Sequence, residues 1–153
     1  MNKTIKAAQP FFNEKYKKRI MRDFDSVLSS GRLIFGPFTR RFEEAFARYH
    51  KRSHAIAVHS CSAALEITLR YIDVKDFEVI VPTNTFVATA FAVLRSGGKL
   101  VLCDIESEHC GLSLSALKSK ITSKTRAVIV VHIGGYMVPW LSEIKEFCDK
   151  NYI

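Results

Sequence analysis

Ser60-Cys61-Ser62, Phe86 and His132 are the positions of this chain where side-chain type and context offer chemistry. The first three lie in "AVHSCSAALEITLRY" (57–71), where an apolar run gives way to small hydroxyl and thiol residues and then to a helical pattern. A helix opening there presents unpaired N–H groups and the positive end of its dipole, which favour an anion such as phosphate. The Ser62 hydroxyl adds another donor. Simple N-capping by serine, with Glu66 as a first-turn carboxylate, is the plainer use of the same residues. Phe86, in "PTNTFVATA" (82–90), stands near a helix start, where an aromatic ring either stacks on a flat ligand or fills a core. His132 precedes Gly134 and Gly135, which let a backbone approach a ligand closely. A lone histidine, though, more often serves as a hydrogen-bonded structural group than as a catalyst.

Other chemistries are disfavoured by what accompanies these residues. The chain has no G-x-G-x-x-G or G-x-x-x-x-G-K-[ST] run, which argues against a dinucleotide site or a P-loop. Cys61, Cys103, Cys110 and Cys148 form no C-x-x-C pair and read as reduced thiols, neither a zinc site nor a redox motif. His50 and His54 are spaced i, i+4, but "YHKRSHAIAVHS" passes from a helix end into an expected strand, so no metal site is read there. The net charge of +8 suits anionic partners. Its largest concentrations, "EKYKKRIMR" and "RRFEEAFARYHKR", interleave with core-spaced aromatics as a solvated helix face does; a nucleic-acid stripe is the lesser reading, since no reader motif accompanies them. No apolar stretch approaches the roughly 20 residues of a membrane-spanning helix. Residues 1–20 lack the apolar core and cleavage site of a secretory leader, so no membrane partner is expected and the cytoplasm is the default location.

The elements that must position these residues follow from periodicity. Tyr16, Ile20, Phe24, Val27 and Leu28 give a helix over 13–30, ended by Gly31. "GRLIFGPF" punctuates the chain, and Pro37 starts a second helix with Phe38, Phe42, Ala45, Phe46 and Tyr49 on one face. From Ala55 onward short apolar runs alternate with helical patterns. The strands read are "HAIAVHS" (54–60), "EVIVP" (78–82), "KLVLCDI" (99–105) and "RAVIVVHI" (126–133), with helices at about 62–72, 84–96, 113–121 and 140–150. Strands apolar at nearly every position belong to a parallel sheet covered on both faces. The predicted class is α/β, a three-layer αβα sandwich. Tyr152-Ile153 reads as the first step of another strand, cut off.

The order of the motifs is itself informative. The run from Gly31 to Tyr71, then "EVIVPTNTFVATAFAVLRSGGKLVLCDIE", then "ITSKTRAVIVVHIGG", resembles the N-terminal part of the DegT/StrS-type family of pyridoxal-phosphate-dependent sugar aminotransferases. The resemblance covers about residues 20–153. It implies an aspartate-aminotransferase-like (fold type I) large domain with a mostly parallel sheet, here truncated. Residues 1–50 would form an N-terminal helical segment, and 51–153 an incomplete N-terminal part of the pyridoxal-phosphate-binding domain. The implied reaction of the complete protein moves an amino group, with glutamate as donor, to a keto sugar linked to a nucleotide. By resemblance Cys61 and Ser62 hold the cofactor phosphate and Phe86 stacks on the pyridine ring. Arg32 to Phe38 is similar to a glycine-containing stretch near the substrate pocket, and His132 matches a recurring "VH" position of unassigned role. Where the family often has Gly-Thr, this chain has Cys61-Ser62, which keeps small size and a hydroxyl. The resemblance places the Schiff-base lysine and the acid that pairs with the ring nitrogen beyond Ile153, so this chain alone is expected to be inactive. A homodimer is implied for the complete protein. The alternatives are a non-catalytic remnant or binding module of the same fold and, less favoured, a basic nucleic-acid-binding domain.

Overall fold

A computed structural model describes residues 9–153. The stretch over which no secretory leader is expected begins in residues 1–8, outside the described ones. The chain divides into two compact units, one ending at Ala57 and the other spanning Val58–Ile153.

The first unit holds α1 (Glu14–Ser30) and α2 (Pro37–Tyr49). Asn13 caps α1, its Oδ1 accepting from the Tyr16 N–H at 2.9 Å, and Gly31 ends it in the left-handed region at φ 66°. Tyr16, Ile20, Phe24 and Leu28 form the expected stripe, yet each is exposed. Pro37 occupies the first turn of α2, as its missing N–H permits. Residues 54–60 are not a strand: they run irregularly, without a ladder partner among the described residues. The Ala57 N–H donates instead to the Glu43 carboxylate at 2.8 Å. An apolar run reports burial propensity, whereas a strand also needs a neighbour.

The second unit contains α3 (Cys61–Tyr71), β1 (Glu78–Pro82), α4 (Ala88–Arg95), β2 (Lys99–Cys103), α5 (Leu114–Lys120), β3 (Thr125–Val128) and α6 (Leu141–Lys150). The sheet is parallel, in the order β2-β1-β3. Its pleat sorts the core into two faces. Val79 and Val81 of β1 pack with Leu69 of α3 and Ala92 and Val93 of α4, backed by Leu100, Ala127 and Ile129. Ile80, between those valines, faces the other way and packs with Cys103, Leu117 and Ile144, backed by Val101 and Val128. The central strand thus buries both faces, while β2 and β3 at the edges are only partly covered, and the three layers expected from the sequence are present.

Several boundaries differ from expectation: the strands read as 99–105 and 126–133 end at Cys103 and Val128. The helix read from 84 begins at Ala88, because 83–87 form a turn in which Thr85 Oγ1 and Thr89 Oγ1 lie 2.9 Å apart. Tyr152-Ile153 do not begin a strand. Tyr152 adopts φ 58°, and the Tyr152 and Ile153 N–H groups donate to the Asp149 and Cys148 carbonyls at 3.3 and 3.0 Å. That is the closure of a Schellman motif, which satisfies the last carbonyls of α6.

Glu66 couples the first two helices of this unit. Its carboxylate accepts from Arg70 Nη2 at 2.9 Å and Arg95 Nε at 3.1 Å, while Arg70 also donates to the Arg95 carbonyl at 2.6 Å. The Arg70 guanidinium first, and Arg95 with it, hold the Glu66 carboxyl below the usual carboxylate range of about 4.5. A carboxylate whose folded-state pKa is lowered contributes stability above its unfolded pKa and loses it as pH falls through the folded value. Glu66→Gln is therefore expected to lower the urea midpoint at neutral pH, with the gap to the parent chain closing on acidification below about pH 4.5. A gap independent of pH would remove the ion-pair explanation.

Candidate functional site

The start of α3 is built to leave donors free. Ser60 sits in extended conformation, φ −160° and ψ 159°, and its Oγ accepts from the Ala63 N–H at 3.2 Å while its carbonyl accepts from the Ala64 N–H at 3.1 Å. The capping reading of Ser60 is therefore realised. Cys61 N–H, Ser62 N–H and Ser62 Oγ have no partner among the described residues, and both residues are exposed. The expectation of Glu66 as a first-turn carboxylate is corrected: the first turn carries no acid, and the Glu66 carboxylate is held by the two arginines. Nothing acidic in that turn opposes an anion.

Ser60 and Ser62 line one wall of a cleft of about 640 Å³, with Ala88 and Phe91 of α4 on the other. Phe86 lies two residues before α4, outside that lining, and is 76% exposed. The structure places it out of the core, contrary to the alternative in which it fills one. Its carbonyl accepts from the Thr89 N–H at 2.9 Å, fixing the turn that presents the ring.

His132 has a local partner. Its Nδ1 accepts from the Val138 N–H at 3.2 Å, so the neutral ring carries its proton on Nε2. Between them a short 3₁₀ turn, Ile133–Gly135, holds Gly134 and Gly135 at φ 60° and 85°. In the first unit, the stretch from Arg32 to Phe38 divides: Arg32 to Gly36 bend into α2 and Pro37 and Phe38 are its first residues, with Phe35 at φ 49° and the Arg32 N–H bonded to Ser30 Oγ at 3.1 Å.

One group of polar residues escaped the sequence reading. Asn84, Glu108, His109, Cys110 and Tyr136 meet around a cleft of about 500 Å³ beyond the carboxyl ends of the strands. The segments "CDIESEHC" (103–110) and "VHIGGY" (131–136) lie at the ends of strands, where ligands collect in such sheets, but no spacing within them singles out these residues. The 104–113 loop is held by an antiparallel Ile105–Leu112 bridge and by the Cys110 N–H donating to the Glu106 carbonyl at 2.8 Å.

The four thiols divide by environment. Cys61 and Cys110 are exposed, whereas burial pushes the Cys103 and Cys148 thiols up. Since the thiolate is the nucleophile, Cys61 and Cys110 are expected to be modified at least about tenfold faster by a disulfide reagent at pH 7.5, read as a fast phase of two equivalents in four. Four equal rates would contradict the packing of Cys103.

The comparisons with known proteins agree with this architecture. Residues 14–153 match the DegT/DnrJ/EryC1/StrS aminotransferase family. The chain is 34% identical over 126 residues to dTDP-3-amino-3,4,6-trideoxy-alpha-D-glucose transaminase of Streptomyces venezuelae, covering 82% of this chain and 33% of that protein. It is 32% identical over 148 residues to GDP-perosamine synthase of Vibrio cholerae, covering 96% of this chain and 39% of the relative. Among solved structures, S. venezuelae DesV in complex with a ketimine intermediate superposes with a TM-score of 0.86 at 31% identity, over 92% of this chain and 38% of DesV. The PLP form of Spr1654 from Streptococcus pneumoniae superposes with a TM-score of 0.80 at 27% identity, over 85% of this chain and 33% of that one. The chain thus spans about a third of the length of these relatives. Its parallel sheet flanked by helices is that of the fold type I aminotransferases, and the chain belongs to the DegT/DnrJ/EryC1/StrS aminotransferase family.

Proposed function

We propose that this chain forms the phosphate-holding and ring-stacking part of a pyridoxal-phosphate-dependent aminotransferase acting on a nucleotide-linked keto sugar, with glutamate as amino donor. The observation that carries the reading is the start of α3, where two N–H groups and the Ser62 hydroxyl have no partner among the described residues on an exposed helix end. Such a set fits a phosphate dianion, which accepts from several donors at once and gains from the helix dipole. In the reaction, Cys61 and Ser62 anchor the cofactor through its phosphate, and Phe86 orients the ring by stacking. When bound, the cofactor supplies an electron sink for the carbanion formed on the amino donor and on the sugar. No lysine of this chain is assigned to bind it covalently; that lysine and the acid facing the ring nitrogen belong to sequence following Ile153 in the complete protein. The part present holds the cofactor and does not by itself react.

The complete protein is further read as a cytoplasmic homodimer. The exposed stripe of Tyr16, Ile20, Phe24 and Leu28 on α1 fits a subunit contact. No described helix is long and apolar enough to cross a membrane.

Cys61 supplies the test, because its thiol stands on the cradle. Pyridoxamine 5′-phosphate carries the phosphate without an aldehyde that would label surface lysines. Millimolar concentrations are expected to slow carboxamidomethylation of Cys61 but not of Cys110, and unphosphorylated pyridoxamine is expected to do neither. Ser62→Ala is expected to raise the half-protecting concentration about tenfold, since a hydrogen bond to a charged group contributes about 1.5 kcal/mol or more. Identical Cys61 rates with and without the phosphate compound would refute the cradle.

A further inference from the structure

We propose that Glu66 is a positioning residue for the cofactor: through Arg95 it locks α3 against α4, and so keeps the phosphate cradle at Ser62 in register with the ring of Phe86. The identification of the ligand as a phosphate-bearing cofactor rests on the reading just given; the clasp between the helices does not. The cradle and the aromatic belong to different elements. Cys61 and Ser62 open α3, whereas Phe86 lies two residues before α4, in the turn that its carbonyl closes with the Thr89 N–H. A flat ring with its phosphate on a short arm has a fixed length. Both of its ends are satisfied together only while the two helices keep one relative placement, and the groups that touch the ligand need others to hold them there.

The cleft beside the cradle shows where that placement is fixed. Ser62 and Glu66, four residues apart, share a face of α3, and opposite them Ala88, Phe91, Ala92 and Arg95 follow the i, i+3, i+4, i+7 stripe of α4. The buried contacts of Leu69 with Ala92 and Val93 resist separation of the helices, but packed helices still slide on one another. Directional bonds resist the sliding, and they converge on Glu66. Its carboxylate accepts from Arg70 Nη2 at 2.9 Å and from Arg95 Nε at 3.1 Å. Its carbonyl accepts from Ser96 Oγ at 3.4 Å, and Arg70 closes the circuit on the Arg95 carbonyl at 2.6 Å. Arg95 is the last residue of α4 and Ser96 its C-cap, itself buried. The chain thus grips α3 one turn beyond Ser62 with the end of the helix whose beginning follows the Phe86 turn. Neither carboxylate nor guanidinium is asked to touch the cofactor; they hold the two elements that do.

Pyridoxamine 5′-phosphate is the probe, and its protection of Cys61 from carboxamidomethylation, without denaturant, is the signal on the 153-residue chain. Glu66→Gln keeps size and an acceptor oxygen but loses the charge; it is expected to raise the half-protecting concentration about three- to fivefold, within the range by which residues touching no ligand shift a coupling. Arg95→Gln is expected to raise it equally, and the double variant no further, because either change opens the same clasp. Arg95→Lys is expected to return it to within about twofold of the parent, since the contact replaced is single and not bidentate. The Arg95 side chain is 71% exposed and Glu66→Gln is isosteric, so the fold is retained, as circular dichroism would verify. Asp149→Asn, which breaks the pair with Lys145 on α6, is the control and is expected to leave protection unchanged. A Glu66 that serves stability alone would lower the urea midpoint and leave the half-protecting concentration at the parent value. That result, additive effects in the double variant, or an equal shift in the control overturns the proposal. Protection of the parent chain with no response to Glu66→Gln removes the positioning role and leaves the aminotransferase reading standing; no protection of the parent removes that reading, and the role with it.

Discussion

Ile80→Ala is expected to lower the stability of the Val58–Ile153 unit by about 3–4 kcal/mol, read as a fall in the urea midpoint with little change in slope. Ile80 is fully buried at the centre of the middle strand, opposite Val101 of β2 and Val128 of β3. The substitution removes three carbons, a transfer loss of roughly 2.4 kcal/mol at about 0.8 per methylene. The cavity adds to that, because the surrounding groups cannot all collapse into it. Cys103, Leu117 and Ile144 come from different elements, each anchored by its own backbone bonds. Leu102→Ala makes the comparison: this β2 side chain is 49% exposed and its loss is expected to cost less than about 1 kcal/mol. Equal effects for the two would mean that the sheet does not bury Ile80 between layers as described.

The same residue shows what was legible in the sequence. "EVIVP", "KLVLC" and the start of "RAVIVVHI" are apolar without alternation, and in the structure neighbouring residues indeed enter opposite cores, Val79 and Val81 on one face and Ile80 on the other. Local composition determines that much, because it records how many faces must be buried. "HAIAVHS" carries the same composition and is no strand, since pairing depends on a neighbour that the run itself does not specify. At the candidate site the contrast is similar. The cap at Ser60 and the free donors at Cys61 and Ser62 follow from local rules and were readable. Arg70 as a partner of Glu66 follows from i, i+4 spacing, but Arg95 does not, because it lies 29 residues away and reaches Glu66 only through the packing of α3 on α4. Asn84, His109 and Tyr136 likewise come together only when three loops meet at one edge of the sheet.

Gly111→Ala probes how that edge is held. Gly111 carries no positive φ that would demand glycine; the requirement is space. A Cβ built there would lie 2.8 Å from Val138 Cγ2, inside van der Waals contact, and Val138 is only 2% exposed. A β-branched side chain packed on a loop has few rotamers in which to retreat. The backbone must move instead, and about 2 kcal/mol of stability is expected to be lost. The strain travels to the cleft, because Cys110, next in the chain, supplies the carbonyl that holds Asn84, and the Val138 N–H is the group bonded to His132. Val138→Ala alone is also expected to destabilise, by about 2 kcal/mol, through lost burial. Combined, the two changes are expected to fall short of their sum by about 1–2 kcal/mol, since the smaller residue at 138 removes the clash at 111. Urea titration of the four chains in the cycle measures that coupling. Additivity within about 0.5 kcal/mol would show that the glycine is not required by Val138, and the loops around the cleft would then be positioned by their hydrogen bonds, among them the Ile105–Leu112 bridge, Cys110 N–H to Glu106 and Asn84 to Cys110.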